Sequence, residues 1–257
     1  MSVRRPVAAG RFYPRDPEAL AATVDALLGA AEPDSSLRGV VVPHAGYAYS
    51  GPVAAAAFSL APLPERVVAL GPSHFVPLDG CAVSTADAWT TPLGDVRVDQ
   101  ELRTAAIAAG CHADDEPHAS DHAIEVELPF LQRSCGPALS VLPVAVGRTD
   151  PAEVARVLAA LDAFVLVSTD MSHFLDAGSA QERDRRTATA VVALDNAAIG
   201  DGDACGASAL RGTIEHARRA GLRLDLLDLR TSGDARGDDE RVVGYGAFAL
   251  RAQRGVA

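Results

Sequence analysis

Three histidines occupy matching positions in three similar stretches of the sequence. His44, His74 and His173 each follow a Val-rich apolar run and lie in a short loop of small residues. Neutral imidazole is the commonest metal ligand near neutral pH, and histidine is also the most frequent general acid or base. A lone histidine after a strand is usually structural, but three in matching positions require a common cause. The sequence therefore predicts that these three side chains converge on one metal or catalytic pocket.

The stretches that carry these histidines are predicted strands of one sheet. Residues 39–42, 67–70 and 164–167 are apolar runs bounded by Gly, Pro or Ser, which is typical of fully buried strands in a parallel sheet. Helical patterns separate the runs, so they form βα units of an α/β fold. Because ligands bind beyond the carboxyl ends of parallel strands, the histidines lie where a site is expected.

Cys205 is a candidate fourth member of the pocket. It lies in a Gly- and Asp-rich loop directly before a predicted helix, and a helix N-terminus favours the thiolate that binds metal or attacks. The alternative is a small buried cysteine that only packs. The other cysteines form no CxxC pair, so we interpret Cys81, Cys111 and Cys135 as packing residues rather than as a zinc knuckle or a disulfide framework.

Two acidic residues stand three positions from a histidine. Asp170 precedes His173 and could bind the metal, orient the imidazole or transfer protons, whereas an Asx turn or helix cap is the structural alternative. Glu125 follows His122 at the same spacing. That pair could act as acid and base in the pocket, although the sequence slightly favours an exposed helical pair.

The remaining histidines and the aromatic residues near the strand ends carry weaker signals. We expect His112 and His118 to be solvated in a polar loop and His216 to lie on a helix surface. Aromatic rings near the mouth of the pocket could stack on a planar ligand, although core packing is the more frequent role of each ring. The rings concerned belong to Tyr47, Tyr49, Phe75, Trp89 and Phe174.

Charge and hydropathy exclude several classes of function. The 257 residues carry a formal net charge of -11 and no lysine, which argues against nucleic acid and anionic membrane surfaces as partners. No apolar run approaches the roughly 20 residues of a membrane span, and the first residues lack the apolar core of a signal peptide. We therefore expect a cytoplasmic protein that folds as a single domain over residues 1–257.

Local patterns predict further elements around this framework. Asp16 with Pro17, and Asp150 with Pro151, each combine a carboxylate N-cap with a proline at the first helical position, so both open helices. Ser50 is expected to cap an Ala-rich helix. Other predicted helices cover residues 99–110, the first half of 122–131, 180–199 and 207–220. Other predicted strands cover residues 81–89, 141–146, 222–229 and 242–250, with a charged loop at 232–240.

Several motifs, in order along nearly the whole chain, resemble the Memo family. The chain is especially similar to the bacterial and archaeal members called AmmeMemoRadiSam system protein B. The most specific motifs are PHAGYxYSG at 43–51 and GPSH at 71–74. The other matching stretches lie at residues 5–14, 91–94, 122–131, 168–174, 205–206 and 243–245.

The resemblance implies a single α/β/α domain with a largely parallel central sheet, similar to class III (LigB-like) non-haem iron dioxygenases. In the Memo family, two histidines and a cysteine hold a metal where those dioxygenases use two histidines and a carboxylate. By motif, His44, His74 and Cys205 correspond to these ligands. Asp170 and His173 would line the same pocket, with His173 as a further candidate ligand. The family name also implies a functional link to radical-SAM and AMMECR1-domain proteins.

These observations leave three hypotheses for the function. The first is a metal-dependent redox enzyme, such as a non-haem iron dioxygenase, acting on an unknown small or aromatic molecule. Fe(II) is its expected ion, copper and zinc are the alternatives, and His173 or His122 would move protons. The second is a non-catalytic module that binds a peptide or protein in the former metal pocket. The third is a zinc hydrolase that activates a water.

Overall fold

A computed structural model describes residues 2–30, 33–60 and 63–253 of the chain. Its strands are β1 (Val3–Arg4), β2 (Leu37–Val42), β3 (Arg66–Pro72), β4 (Cys81–Val83), β5 (Ala88–Thr91), β6 (Gly94–Val98), β7 (His112–Ala113), β8 (Ser140–Val146), β9 (Phe164–Ser168), β10 (His173–Leu175), β11 (Leu222–Thr231) and β12 (Val242–Ala252). Its α-helices are α1 (Pro17–Leu28), α2 (Tyr47–Phe58), α3 (Gln100–Ala108), α4 (Glu116–Ala119), α5 (Leu128–Ser134), α6 (Pro151–Ala159), α7 (Ala177–Val192), α8 (Ala207–Ala220) and α9 (Ser232–Arg236).

The strands at the centre of the sheet are parallel. They lie in the order β6, β8, β3, β9 and β2, and β12 extends the sheet antiparallel to β2. Leu70 of β3 lies opposite Val144 on one side and Val167 on the other. Every residue of β8 and of β9 is buried, which requires cover on both faces of the sheet. The buried parallel strands predicted from the Val-rich runs are thus confirmed.

Helices supply that cover. α8 packs on β3 and β9 and is covered by α6, whereas α2 packs on β2 and β12 beside α1. The result is the α/β/α fold with a largely parallel central sheet that the sequence predicts. Within residues 2–30, 33–60 and 63–253, no helix combines the length and the apolar character that a membrane crossing needs.

The two helix openings that pair an aspartate with a proline are confirmed. Asp16 Oδ1 accepts the amide N–H of Ala19 at 2.9 Å, and Asp150 Oδ1 accepts that of Ala152 at 2.7 Å. Each aspartate is followed by a proline in the first helical turn, where no amide hydrogen is needed. The helix predicted over 207–220 is α8, and the predicted strands at 141–146, 222–229 and 242–250 lie within β8, β11 and β12.

The predicted cap of the Ala-rich helix is wrong. α2 begins at Tyr47 with Gly46 at its N-cap, so Ser50 lies inside the helix. The Ser50 hydroxyl donates to the carbonyl of Ala45 at 2.9 Å. A serine side chain can bond backward to a carbonyl within a helix as well as cap its first turn, and the sequence does not distinguish these roles.

Other boundaries also differ from prediction. In the segment 122–131, predicted to be helical in its first half, a 3-10 turn covers Glu125–Glu127 and leads into α5. Pro129 occupies the first turn of α5, where its missing N–H has no consequence. α7 begins earlier than predicted, capped by Asp176, and ends at Val192 well before Ile199. The region 81–89 holds two strands, β4 and β5, and the charged segment 232–240 holds α9.

One buried carboxylate ties the N-terminal segment to the fold. Glu125 accepts the amide N–H groups of Val7 and Ala8, both at 2.8 Å, and the Tyr13 hydroxyl at 2.6 Å, and it also pairs with Arg4. Its side chain is fully buried. The exposed helical pair with His122 is therefore wrong, and Glu125 is committed to partners outside the histidine pocket.

Candidate metal centre

The pocket forms at the carboxyl ends of three neighbouring parallel strands. His44 and His74 each lie two residues beyond the ends of β2 and β3. Asp170 lies two residues beyond the end of β9, the strand between them. The His44 and His74 rings meet edge to face with their centroids 5.3 Å apart. The convergence predicted from strand-end positions is therefore present for these two histidines.

Cys205 reaches the same pocket from the loop before α8. Its Sγ lies 3.4 Å from Nε2 of His44, and the ligand atoms offered by His44, His74 and Cys205 all lie within 4.8 Å of one another. The N–H of Cys205 donates to the carbonyl of Asp170 at 3.1 Å, which holds the loop in place. Gly206 permits this approach, because a Cβ there would lie 2.8 Å from a side-chain atom of Thr169.

Hydrogen bonds on one ring nitrogen orient both imidazoles. Nδ1 of His44 lies 2.8 Å from Oγ of Ser168, and Nδ1 of His74 lies 3.1 Å from Oδ1 of Asp121. With the proton on Nδ1 in each ring, Nε2 keeps its lone pair for a ligand. Partners of this kind fix the tautomer and the direction of a metal-binding histidine.

Asp121 holds the backbone around His74 as well as the ring. It accepts the N–H groups of His74 at 2.7 Å and of Ala123 at 3.0 Å. Burial opposes its ionisation, yet the hydrogen bonds from His74 and Ala123 lower its pKa to about 2. His74, Asp121 and His122 also bring donor atoms within 4.8 Å of one another. Because N–H donors already occupy both Asp121 oxygens, the geometry favours a role in orienting His74 over a role as a ligand.

Burial sets the protonation of the pocket. It lowers the pKa of His44 to about 3, with a further contribution from His74, and lowers that of His122 to about 4. Burial and the nearby Asp170 carboxylate raise the pKa of the Cys205 thiol to about 12. The His44 and His122 imidazoles are therefore neutral near pH 7, and the thiol needs a nearby cation to ionise there.

Comparison with known proteins assigns the chain. A sequence model of the Memo family, described as Memo-like protein, matches residues 4–249. The chain belongs to the Memo family. Proteins named as MEMO1 family proteins are similar to it over nearly their whole length. Those of Methanopyrus kandleri and Aquifex aeolicus are each 36% identical, covering 96% and 95% of this chain and 99% and 98% of their own. That of Archaeoglobus fulgidus is 33% identical over 97% of this chain and 100% of its own.

His122 is a third histidine in the pocket of this Memo protein. Its ring centroid lies 5.5 Å from that of His44 and 5.3 Å from that of His74, and the ring packs on Phe12 at 4.2 Å. Neither ring nitrogen of His122 has a hydrogen-bond partner among the residues that the structure describes. The side chain is therefore free to interact with a molecule that enters the pocket.

The Memo resemblance also places Asp170 and His173 in the pocket, and the structure gives these two residues different surroundings. Asp170 lies beneath it, where Oδ1 accepts the backbone N–H of His44 at 2.8 Å, and burial raises the pKa of Asp170 to about 6. His173 lies in β10, half-buried, with Nδ1 2.8 Å from the carbonyl of Met171. Its ring contributes no atom to the group formed by His44, His74 and Cys205.

The expectation for His118 is wrong, whereas the packing role favoured for two of the aromatic rings is confirmed. His118 is buried rather than solvated, with Nε2 3.1 Å from the carbonyl of Ala82. Trp89 packs edge-on against His118 at 5.6 Å in the interior, away from the pocket mouth. Tyr47 is likewise buried and donates its hydroxyl to the carbonyl of Val126 at 2.7 Å. Polar flanking residues conceal this burial in the sequence.

Sequence reasoning missed three residues that support the histidines. Asp121 directly precedes His122, and Ser168 opens the stretch that carries Asp170. Their positions beside predicted site residues were the signal that could have revealed them. Ser168 Oγ also lies 2.8 Å from the carbonyl of Ala123 and 3.0 Å from Oε1 of Glu127. Burial raises the pKa of Glu127 well above its usual range, so a neutral carboxyl group lies behind Ser168.

Proposed function

We propose that this Memo-family protein binds a redox-active transition-metal ion through His44, His74 and Cys205 and oxidises a small molecule there. The observation that supports the proposal most is the set of two oriented imidazoles and one thiol with donor atoms within 4.8 Å of one another. A cysteine that only packs would be surrounded by apolar groups. Cys205 instead places its Sγ 3.4 Å from a histidine nitrogen.

The chemistry of these donors fits such an ion. Neutral imidazole suits iron, copper and zinc, and a thiolate extends the range toward soft ions such as Cu(I). We propose Fe(II), because two histidines and one anionic ligand match the three-ligand sets of non-haem iron enzymes. When bound, the ion would offer open coordination positions for oxygen or substrate.

His122 is the residue best placed to move a proton. Its ring faces the pocket 5.3 Å from that of His74, and burial keeps it neutral by lowering its pKa to about 4. A neutral imidazole without other partners can accept a proton from a molecule that lies against it. Asp170 has a different part, because its carboxylate holds the His44 loop through the backbone N–H.

A partner-binding module is the second candidate, and two exposed rings favour it. Phe75 is 62% exposed and Phe174 is 63% exposed, and each directly follows a histidine in the sequence. Large exposed aromatic side chains are frequent anchors in protein interfaces. Such a module would keep its affinity for a partner after a chelator removes all metal, whereas a metal-dependent enzyme would lose its activity.

Anaerobic metal titration of metal-free protein tests the proposal. Wild-type protein is expected to bind Fe(II) stoichiometrically. Removing a residue that supports a metal-bound histidine can weaken metal binding by roughly 100-fold, and removing a ligand should weaken it at least as much. His44→Ala and Cys205→Ala should therefore each lower the affinity for Fe(II) by about 100-fold or more. Cys135→Ala is the matched control, because Cys135 is a buried cysteine outside the donor group.

Two results would change the assignment. Undiminished Fe(II) binding by Cys205→Ala would refute the proposed ligand set. Sustained hydrolysis by the Zn(II)-loaded protein without oxygen, in the absence of oxygen-dependent turnover by the Fe(II)-loaded protein, would replace the redox function with that of a zinc hydrolase.

A further inference from the structure

Phe174 adopts a backbone conformation that side chains disfavour. Its φ is +60°, in the left-handed region that residues other than glycine rarely enter. Leu194 is the other described non-glycine residue with positive φ, and it follows the end of α7, where that conformation commonly terminates helices. Phe174 has no such explanation, because it lies in the middle of β10.

The conformation belongs to a β-bulge. His173 pairs with Val243 and Leu175 pairs with Val242, so Phe174 is the extra residue between two consecutive partners on β12. The left-handed position of a bulge of this kind usually carries glycine. A phenylalanine there gains little from packing, because 63% of it is exposed. Its ring lies 5.6 Å from the His173 ring, so the bulge directs an aromatic side chain to the edge of the pocket.

Two arginines that lie five positions apart, just before β12, lie against aromatic rings. The Arg241 guanidinium lies 5.1 Å from the centre of the Phe174 ring. Arg236 lies 4.5 Å from the centre of the Tyr49 ring and donates from Nε to the Tyr49 hydroxyl at 2.7 Å. Tyr49 follows His44 in the first turn of α2, and Phe174 directly follows His173, whose charge contributes to the lowered pKa of His44.

Neither guanidinium is neutralised by an ion pair. Across residues 2–30, 33–60 and 63–253, no carboxylate lies within 4.0 Å of Arg236 or Arg241. Of the four acidic residues in the same segment, Asp234 accepts the N–H of Thr231 and Asp238 accepts that of Glu240, and neither Asp239 nor Glu240 pairs with the two arginines. The two guanidinium groups are therefore open to pairing with an anion that reaches them.

We propose that Phe174, Arg236 and Arg241 form a rim site for a small planar organic carboxylate. The flat face of the ligand lies against the Phe174 ring, and its carboxylate pairs with the guanidinium groups, which favour this planar anion. Calling this ligand the substrate rests on the proposed function. Its binding does not, because no rim residue belongs to the proposed metal ligands.

Binding of matched probes to the metal-free, full-length protein tests the rim site. The probes are 2-naphthoate, its neutral analogue 2-naphthamide and the non-planar decahydro-2-naphthoate, and calorimetry gives their affinities. A charge-assisted hydrogen bond gives a preference of about tenfold or more for 2-naphthoate over the amide. The double variant Arg236→Gln/Arg241→Gln should abolish that preference. Arg38→Gln is the control, because Arg38 is an exposed arginine near the opposite, amino end of β2.

Phe174→Gly separates a binding role from a structural one. Glycine removes the ring and also relieves the left-handed strain. We expect naphthoate affinity to fall about threefold or more while the melting temperature stays the same or rises. If the ring stabilised the fold, its removal would lower both the naphthoate affinity and the melting temperature. Equal affinity for naphthoate and naphthamide, or an unchanged preference in the double arginine variant, would overturn the rim site.

Metal titration of the same preparations separates this inference from the proposed function. Selective naphthoate binding by a protein that refuses metal would support the rim site and overturn the redox function. Stoichiometric metal binding without naphthoate selectivity would overturn the rim site and leave the metal centre supported.

Discussion

The segment 121–127 supplies carboxyl groups to two neighbouring clusters that differ in how completely they are satisfied. Around Glu125, both oxygens are occupied by Arg4, Tyr13 and backbone N–H groups. Around His44 and His74, carboxyl groups of the same segment partner only the Nδ1 side of the rings. Asp121 bonds His74 directly, and Glu127 is linked to His44 through Ser168. The inner nitrogens face the pocket.

The difference indicates what each cluster does. A buried polar group with all its partners in place stabilises the fold, since any lost partner leaves a desolvated group behind. In the histidine pocket, the inner nitrogen of His44 has only the Cys205 sulfur beside it, at 3.4 Å, and that of His74 has no hydrogen-bond partner among the described residues, so both can bind a ligand. We therefore expect substitutions in the Glu125 cluster to affect folding and substitutions in the pocket to affect binding.

Glu125→Gln should give the largest change in stability. It removes the partner of a buried arginine, and breaking such a pair costs about 3–5 kcal/mol. Chemical denaturation would measure this fall in the free energy of unfolding. The folded fraction should still bind Fe(II) with wild-type affinity within about threefold, since the ligands are intact. Stability near that of wild type would show that the Glu125 cluster does not hold the N-terminal segment.

Asp121→Asn should weaken metal binding rather than folding. Loss of the carboxylate that orients His74 should weaken metal affinity by about 10–100-fold, the range found for supporting residues of metal-bound histidines. Asp115→Asn is the control, because Asp115 is a nearby exposed acid whose partners are Ser84 and Thr85 rather than a pocket histidine. Competition with a chelator of known affinity measures both variants, and equal loss in the two would contradict the assignment of Asp121.

The buried histidine outside the pocket predicts a pH dependence of folding. Burial lowers the pKa of His118 to about 4, below the value of about 6.5 in an unfolded chain. The unfolded state therefore binds the proton first, so this contribution is complete above pH 6.5 and is lost as pH falls toward 4. The slope is about 1.4 kcal/mol per pH unit. His118→Gln should flatten the stability profile by that amount between pH 6 and 4.5, with or without metal, and an unchanged slope would show that His118 is not buried neutral.

Glu127→Gln should give the smallest effect. Burial raises the pKa of Glu127, so its carboxyl group is neutral, and an amide is likewise uncharged and keeps an oxygen that accepts the Ser168 hydroxyl. Stability should change by less than about 1 kcal/mol and metal affinity by less than about threefold. A loss as large as that of Glu125→Gln would mean that Glu127 is ionised and that the two glutamates are equivalent.

The sequence predicts the framework of the site well because that framework follows from local patterns. Continuous Val-rich runs form buried parallel strands, and such strands bring their carboxyl ends together, so His44 and His74 could be placed in one pocket without a structure. Its loop before a helix makes Cys205 a candidate, and the family resemblance is what favours it over a packing cysteine. A single cysteine in a loop does not reveal which strand end the loop will approach.

Other features depend on contacts that no local pattern encodes. Glu125 finds its partners more than a hundred positions away, and Arg4 precedes it by 121 positions, so its burial cannot be inferred from the polar stretch around it. The bulge at Phe174 is hidden for another reason. An aromatic residue in a short strand is ordinary by type, and only the pairing with β12 shows its left-handed backbone.

X-ray absorption of the Zn(II)-loaded protein tests the central claim most directly, because zinc accepts the same donors without oxidising the thiol. We predict sulfur at about 2.3 Å and nitrogen at about 2.0–2.1 Å around the ion. Cys205→Ser should remove the sulfur, whereas Cys81→Ser should keep it. A wild-type spectrum without sulfur in the coordination sphere would contradict the proposed centre of His44, His74 and Cys205.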